Sequence, residues 1–534
     1  MQPRRLTALV ALFVICALIA IACDSKQQAP VPETAVLNLA ADPETLDPGR
    51  ATGIPESRVI NGLLNGLTRL DANGVAQPSM AEKWESNERK DEWTFHLRPA
   101  KWSNGDPVRA TDFVWSWQRV LDPALASDYA YQLFFLANAE AVHEKKADPS
   151  TLGVKAADEH TLQVKLSGPT TFFPALVAHS AYYPVHRATV EKDADWHTKP
   201  ASYIGNGPFR LVEWKNNDRI VLEKNSAYWN AADVKLQRIV YRMIEQQTTE
   251  LAAYEAGDLD MTSNVPRPEI PRLRSRSDLH FGPYFGTYYI GLNCEKAPFN
   301  NPLVRRAFAL AINRKQIVEN ITLAGEQVAL GWVPASLDAA SALPFRKQKP
   351  ACYADNDVEG ARKALAEAGF PGGKGFPSVR YIYNTDENHA NIAQALQQMW
   401  AQTLGVTVTL ENQEWKTYLS NRNAGNFDLS RAAWIADYPD PMNFLEVFLS
   451  NGGNNNSRWR NANYDDLLRQ AKQTSDENVR FEFMHKAEDL LMQEMPLAPI
   501  YYYTNPYLQN ERLQNVIMNG MGWQDLTHAW IKQK

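Results

Sequence analysis

The chain has 534 residues, 44% of them hydrophobic and 22% charged, with a formal net charge of -6 at pH 7. That balance is ordinary for a soluble secreted protein and argues against a nucleic-acid groove, which needs concentrated Lys and Arg. The length allows several cores and sets a prior of about three domains.

At the N-terminus, Arg4 and Arg5 precede a mostly apolar run from Leu6 to Ile21 that ends in Ala22-Cys23. A basic start, an apolar stretch and a small residue before a cysteine read as a secretion signal over residues 1–22. Its end is lipobox-like, so Cys23 is the expected lipid-bearing first residue of the mature chain. Ala20 rather than leucine stands three residues before Cys23. The competing readings are an uncleaved membrane anchor and cleavage nearby without lipid. Residues 23–35, with Gln27, Gln28, Pro30 and Pro32, form a short polar tether. No later apolar run reaches membrane-spanning length, so the body is expected to be soluble.

Further along, apolar residues alternate at Trp93, Phe95, Leu97 and again at Leu162, Val164, Leu166, which predicts strands. Helical spacing appears in Val304, Phe308 and Ile312 behind Pro302, and in Ile392, Leu396 and Met399, closed by Gly405. Val406, Val408 and Leu410 then predict another strand. This alternation of helix and strand indicates α/β domains. Gly372-Gly373-Lys374-Gly375 lacks the Ser or Thr and the spacing of a phosphate loop, and reads as a turn between a helix and a strand. Of four cysteines, Cys16 leaves with the signal and Cys23 takes the lipid. Cys294 and Cys352 remain and are expected to pair in an oxidising compartment, with two buried thiols as the alternative.

The stretch Arg431-Ala432-Ala433-Trp434-Ile435-Ala436-Asp437 carries one cation at its start and one anion at its end. If it is extended, the two charged residues share a face with Cα atoms roughly 20 Å apart. Inward-leaning side chains narrow that gap to the order of 10 Å, about the length of an extended tripeptide. A zwitterionic peptide fits between them. The competing readings are an Arg snorkelling to solvent and an Asp that starts a turn before Tyr438-Pro439.

The run Phe427–Tyr438 resembles the ligand-site segment of bacterial periplasmic oligopeptide-binding proteins, the family 5 solute receptors of peptide ABC importers. Trp93-Thr94-Phe95-His96-Leu97-Arg98, Lys101-Trp102-Ser103-Asn104-Gly105 and Asp112-Phe113-Val114-Trp115-Ser116-Trp117 resemble the same family in order and spacing. So do Gly205-Asn206-Gly207-Pro208-Phe209 and Asn412-Gln413-Glu414-Trp415-Lys416-Thr417. The resemblance covers essentially everything after residue 35. It implies an α/β fold of two lobes, a type II, cluster C periplasmic binding protein, with an additional inserted domain. The implied partition is lobe I over 36–68, 189–285 and 505–534, the inserted domain over 69–188, and lobe II over 286–504.

By that resemblance Asp437 holds the peptide ammonium and Arg431 the carboxylate of short peptides, a pairing suited to the planar guanidinium. His389 matches a histidine associated with longer ligands, although a lone loop histidine is commonly just solvated. Trp434, Trp415, Tyr129 and Tyr503 match aromatic positions near the peptide, and Glu56 matches another residue near it; core packing and a surface carboxylate are the alternatives. A family lysine for longer peptides aligns with the neutral Thr322, which leads us to expect tripeptides to bind at least as well as tetrapeptides, and Thr322→Lys to favour the latter. Arg422 is a substitute cation. Two family cysteines that pair beside the site align with Gly286 and Ile435, so that bridge is missing.

The implied protein captures short free-ended oligopeptides with little sequence specificity and delivers them to an inner-membrane ABC permease. It is expected to be a periplasmic monomer held at the inner membrane by lipid on Cys23, the address suggested by Asp24. Relatives that take dipeptides, cell-wall peptides or signalling peptides are the nearest alternative. A secreted peptidase is the alternative of another class. The chain lacks Gly-x-Ser-x-Gly and His-Glu-x-x-His motifs, and we expect no catalysis, cofactor, metal or nucleic acid. His179 and His186, seven apart in an apolar, aromatic neighbourhood, are not assigned to a metal.

Overall fold

The computed structural model describes residues 33–341 and 343–532, without the side chains of Trp415 and Lys416. The signal segment and Cys23 lie outside the described residues.

Three sheets organise the chain. The first has the strand order Thr34–Asn38, Arg238–Arg242, Arg219–Lys224, Phe209–Lys215, with a parallel first pair and antiparallel neighbours after it. The second is antiparallel, in the order Ala81–Ser86, Glu92–Leu97, Thr161–Lys165, Val154–Asp158. Trp93, Phe95 and Leu97 are buried on one side of their strand, as the alternation predicts. Both sheets contribute to one continuous apolar core.

The third sheet has six strands in the order Gln327–Val328, Leu497–Leu508, Leu279–Leu292, Leu429–Ile435, Val379–Asn384, Val408–Gln413. Its faces serve different cores, because successive side chains of a strand point opposite ways. Tyr288, Ile290 and Leu292 pack into one core, while Phe285 and Tyr289 pack into the other with Ala432, Trp332 and Phe448. The strand that holds Arg431 is thus interior, paired antiparallel to Leu279–Leu292 and parallel to Val379–Asn384.

Helices flank this sheet with the expected start and stop signals. Pro302–Leu310 begins with proline in its first turn, and Asn301 accepts a hydrogen bond from the Leu303 N–H at 2.9 Å. Glu387–Leu404 is capped by Asp386, which accepts from the His389 N–H at 3.0 Å, and stops at Gly405 with φ +71°. The 371–375 segment is the expected turn between the helix Val358–Glu367 and the strand Val379–Asn384. Gly373 adopts φ +77°, and a Cβ there would lie 2.4 Å from the Gly405 carbonyl oxygen, so this approach of two turns requires glycine.

Cys294 and Cys352 are both free, which corrects the expected disulfide. Cys352 Sγ lies 3.7 Å from Glu488 Oε2, whereas Cys294 lies among Arg305, Glu494 and Glu295. Glu488 and Glu494 are six residues apart on the helix Glu477–Glu494, a rise of ~9 Å. The thiols pack near different turns of that helix, and no bridge joins them. Burial pushes each thiol up to about 12, so both are inert.

Candidate functional site

Arg431 stands in the middle of Leu429–Ile435, opposite Ile290 in the ladder and on the face that carries Tyr288. Its Nη2 donates to Tyr503 Oη at 3.2 Å and its Nη1 to Asn384 Oδ1 at 3.5 Å. The guanidinium lies over the Tyr288 ring, 5.1 Å from its centroid, where the ring quadrupole attracts a cation. Its Nε–H is buried without an acceptor. Tyr418 Oη donates to the Arg431 carbonyl and fixes the backbone.

Asp437 lies two residues beyond the strand end. Oδ2 accepts a hydrogen bond from Tyr131 Oη at 2.9 Å. Its N–H donates to Asn443 Oδ1 at 3.1 Å, and the same oxygen accepts from Trp434 Nε1 at 2.9 Å. Asn443 thereby ties the indole and the aspartate backbone together. Burial raises the Asp437 carboxyl to about 6, against the hydrogen bonds from Tyr131 and Asn443, which favour its charged form. Among the described residues Asp437 has no cationic partner and Arg431 no anionic one. Two half-buried opposite charges left without ionic partners are costly to the free protein, and a ligand with both charges would satisfy them.

Trp434 and Asp437 line a cavity of about 1060 Å³ together with Tyr131, Phe135, Phe172 and Tyr438. Arg431 is not among its lining residues. Tyr129 packs on Tyr131 at 5.9 Å and on His179 at 4.9 Å between ring centroids. Tyr503 meets Tyr284, Tyr288 and Tyr501 edge-on or tilted, 5.2–6.2 Å away. The strand register therefore brings Arg431, Tyr503, Tyr288 and Asn384 together, and Asp437 is met by Tyr131 from a distant part of the chain.

His389 lies on the first turn of a helix rather than in a loop, and its side chain is only 12% exposed. It packs on Tyr288 at 5.6 Å, and its Nδ1, 3.6 Å from Asp386, makes no hydrogen bond. Burial and the Arg431 charge press its pKa down to about 4, so it is neutral at pH 7. Arg422 packs over the Tyr418 ring at 5.9 Å and keeps a buried Nε–H without an acceptor. Trp415 opens the helix Trp415–Ala424, and its side chain lies outside the described residues.

Two further expectations are met differently. Glu56 is buried at the start of the helix Ile54–Leu63, where its Oε1 accepts the Glu44 N–H at 2.7 Å; it closes its own loop. Thr322 is buried and donates to Glu326 Oε2 at 2.8 Å, while Glu326 Oε1 pairs with Arg267 at 2.5 Å. The position is already engaged by a neighbouring carboxylate. Tyr131, Tyr288, Asn384 and Asn443 were not singled out in the sequence. Tyr131 follows the matched Tyr129 by two residues, whereas the others have no local signal.

The family model described as bacterial extracellular solute-binding proteins, family 5, middle part, matches residues 75–456. The oligopeptide-binding protein OppA of Bacillus subtilis is 37% identical over 99% of this chain and all of that protein. The Escherichia coli murein tripeptide binding protein MppA superposes with a TM-score of 0.80 at 36% identity, covering 94% of this chain and 99% of that one. Haemophilus influenzae OppA, solved in complex with the peptide RPPGFSPFR, gives a TM-score of 0.77 at 35% identity over 94% of this chain and 100% of the other. The architecture is accordingly the two-lobed α/β receptor fold with an additional domain. With a family match over more than half of its length and relatives above 30% identity along nearly all of it, the chain belongs to family 5 of the bacterial extracellular solute-binding proteins.

Proposed function

We propose that this protein is the substrate-binding component of a peptide ABC importer, and that it captures short peptides with free termini between its two lobes. The observation that carries this reading is a pair of opposite charges that have no ionic partner among the described residues: Asp437 for the ligand ammonium and Arg431 for its carboxylate. The aromatic surfaces of Trp434, Tyr129 and Tyr503 pack against the extended backbone, and Arg422, His389 and Trp415 border it. Side chains of the ligand extend into roomy, hydrated space such as the cavity beside Asp437, which makes sequence selection loose. Lobe closure is a population shift driven by contacts to both lobes, and the closed form is what the permease engages. The mechanism needs no covalent step.

The same reading assigns lobe I to 36–68, 189–285 and 505–534, the inserted domain to 69–188 and lobe II to 286–504. Cys23 carries the lipid that holds the mature protein at the inner membrane, and residues 23–35 are its tether. Fractionation tests this: Cys23→Ser releases the protein into the soluble periplasmic fraction, and a product that stays in the membrane overturns the lipid assignment.

Mass spectrometry of what leaves the purified protein on denaturation tests the ligand class. Calorimetry then compares trialanine with N-acetyl-trialanine. Loss of the ammonium leaves Asp437 desolvated and unpaired, a cost of about 3–5 kcal/mol. Equal affinities would remove the assignment.

A further inference from the structure

Arg58 is 6% exposed on the helix Ile54–Leu63, and it has no salt bridge among the described residues. Its Nε–H is buried without an acceptor. Buried charges are ordinarily paired, so an unpaired buried guanidinium is a candidate anion-binding group. Burial pulls its pKa down, and Tyr241, Tyr284 and Glu250 are the groups that act against this.

Those neighbours do not complete it. Tyr241 Oη is directed to the Arg58 backbone carbonyl at 3.5 Å. Glu250 is the acidic group of the three, and it already accepts from both the Ser263 N–H and Ser263 Oγ. Burial also raises the Glu250 carboxyl above its ordinary range, which weakens it as a counter-charge.

Arg58 is connected to the ligand anchors. Ile54, one turn before it on the same helix face, approaches Gly522 beside Tyr284. Tyr284 meets Tyr503 edge-on at 5.9 Å, and Tyr503 accepts from Arg431. A short aromatic relay thus separates two guanidinium groups on different lobes of the proposed cleft.

We propose that Arg58 is a second anion anchor, which takes a peptide carboxylate other than the one that meets Arg431. That carboxylate is either an acidic side chain of the ligand or the C-terminus of a longer peptide, and both present the same planar acceptor. This assignment rests on the peptide-receptor reading given above. It makes the receptor selective for acidic or longer peptides by a residue that the ammonium–carboxylate pair does not include.

Calorimetry on the native protein, Arg58→Gln and Arg58→Lys tests this with trialanine, tetraalanine and the three tripeptides that replace one alanine by glutamate. We expect native protein to prefer at least one glutamate tripeptide, or tetraalanine, over trialanine by about tenfold. Arg58→Gln removes that preference and leaves trialanine within about twofold, while Arg58→Lys keeps part of it. A preference confined to a glutamate peptide identifies a side chain, and one confined to tetraalanine identifies a C-terminus. The same ranking in Arg58→Gln as in native protein, or no preference in native protein, overturns the assignment of Arg58 alone. Native protein that binds none of these peptides overturns the receptor reading and this assignment with it.

Discussion

Gly286 lies directly opposite Ile435 across the antiparallel ladder, and the Ile435 Cδ1 methyl occupies the space beside it, 2.3 Å from where a Gly286 Cβ would stand. An apolar side chain laid over a glycine fills this gap. The contact holds strand to strand next to Trp434 and Tyr503, which flank the same glycine.

Gly286→Ala is therefore expected to overpack this spot at a cost of about 1–3 kcal/mol. Ile435→Val removes the crowding methyl, so the double variant recovers most of that loss. Urea denaturation of the two single variants and the double one gives the coupling energy. Simple additivity would show that the two residues do not compete for this space.

Binding is expected to depend on pH through Asp437. Its carboxyl, raised to about 6 by burial, is protonated in the free protein below that pH and then offers an ammonium no negative partner. Affinity for trialanine should fall about tenfold between pH 7 and pH 5, one pKa unit on either side of the midpoint. His389, held down at about 4, does not titrate in this window. Calorimetry at the two pH values, with Asp437→Asn as the pH-independent control, measures the effect.

The same raised carboxyl costs the unliganded protein stability. The native state holds its proton to higher pH than the unfolded chain, so stability falls as pH rises from the ordinary 3.8 through about 6. Asp437→Asn should raise the melting temperature of the free protein at pH 8 and leave it unchanged near pH 3. A shift of this size in a fully buried group is about 3 kcal/mol; solvent screening of a half-buried carboxylate brings the expectation to about 1–2 kcal/mol. The variant gains stability and loses ligand, and thermal melts at both pH values check the first part.

Thr322→Lys is expected to leave the relative affinities for tripeptides and tetrapeptides unchanged. Thr322 is buried with its hydroxyl on Glu326, so a lysine there is crowded and meets Glu326 before any ligand. Overpacking should destabilise the protein by about 1–3 kcal/mol. Calorimetry with trialanine and tetraalanine on the variant decides between this outcome and a selective gain for tetraalanine.

The strand patterns at Trp93–Leu97 and Leu162–Leu166, the helix bounded by Gly405 and the charged ends of the Arg431–Asp437 stretch were legible in the sequence. Each follows from a local rule: period, cap or spacing along one strand. Resemblance supplied the lobe order and the aromatic positions, which no local rule contains. What Glu56 and Thr322 do was not legible, because a polar side chain takes whichever partner packing delivers, and these two met the Glu44 N–H and Glu326. Cys294 and Cys352 share a compartment rule but not a place, since they pack near different turns of one helix. The tertiary structure alone decided that Tyr131 would reach Asp437 from 306 residues away and that Arg58 would be buried without a counter-ion among the described residues. Burial, register and long-range contact set the charge state of such groups, and none of these is a property of neighbouring residues in the chain.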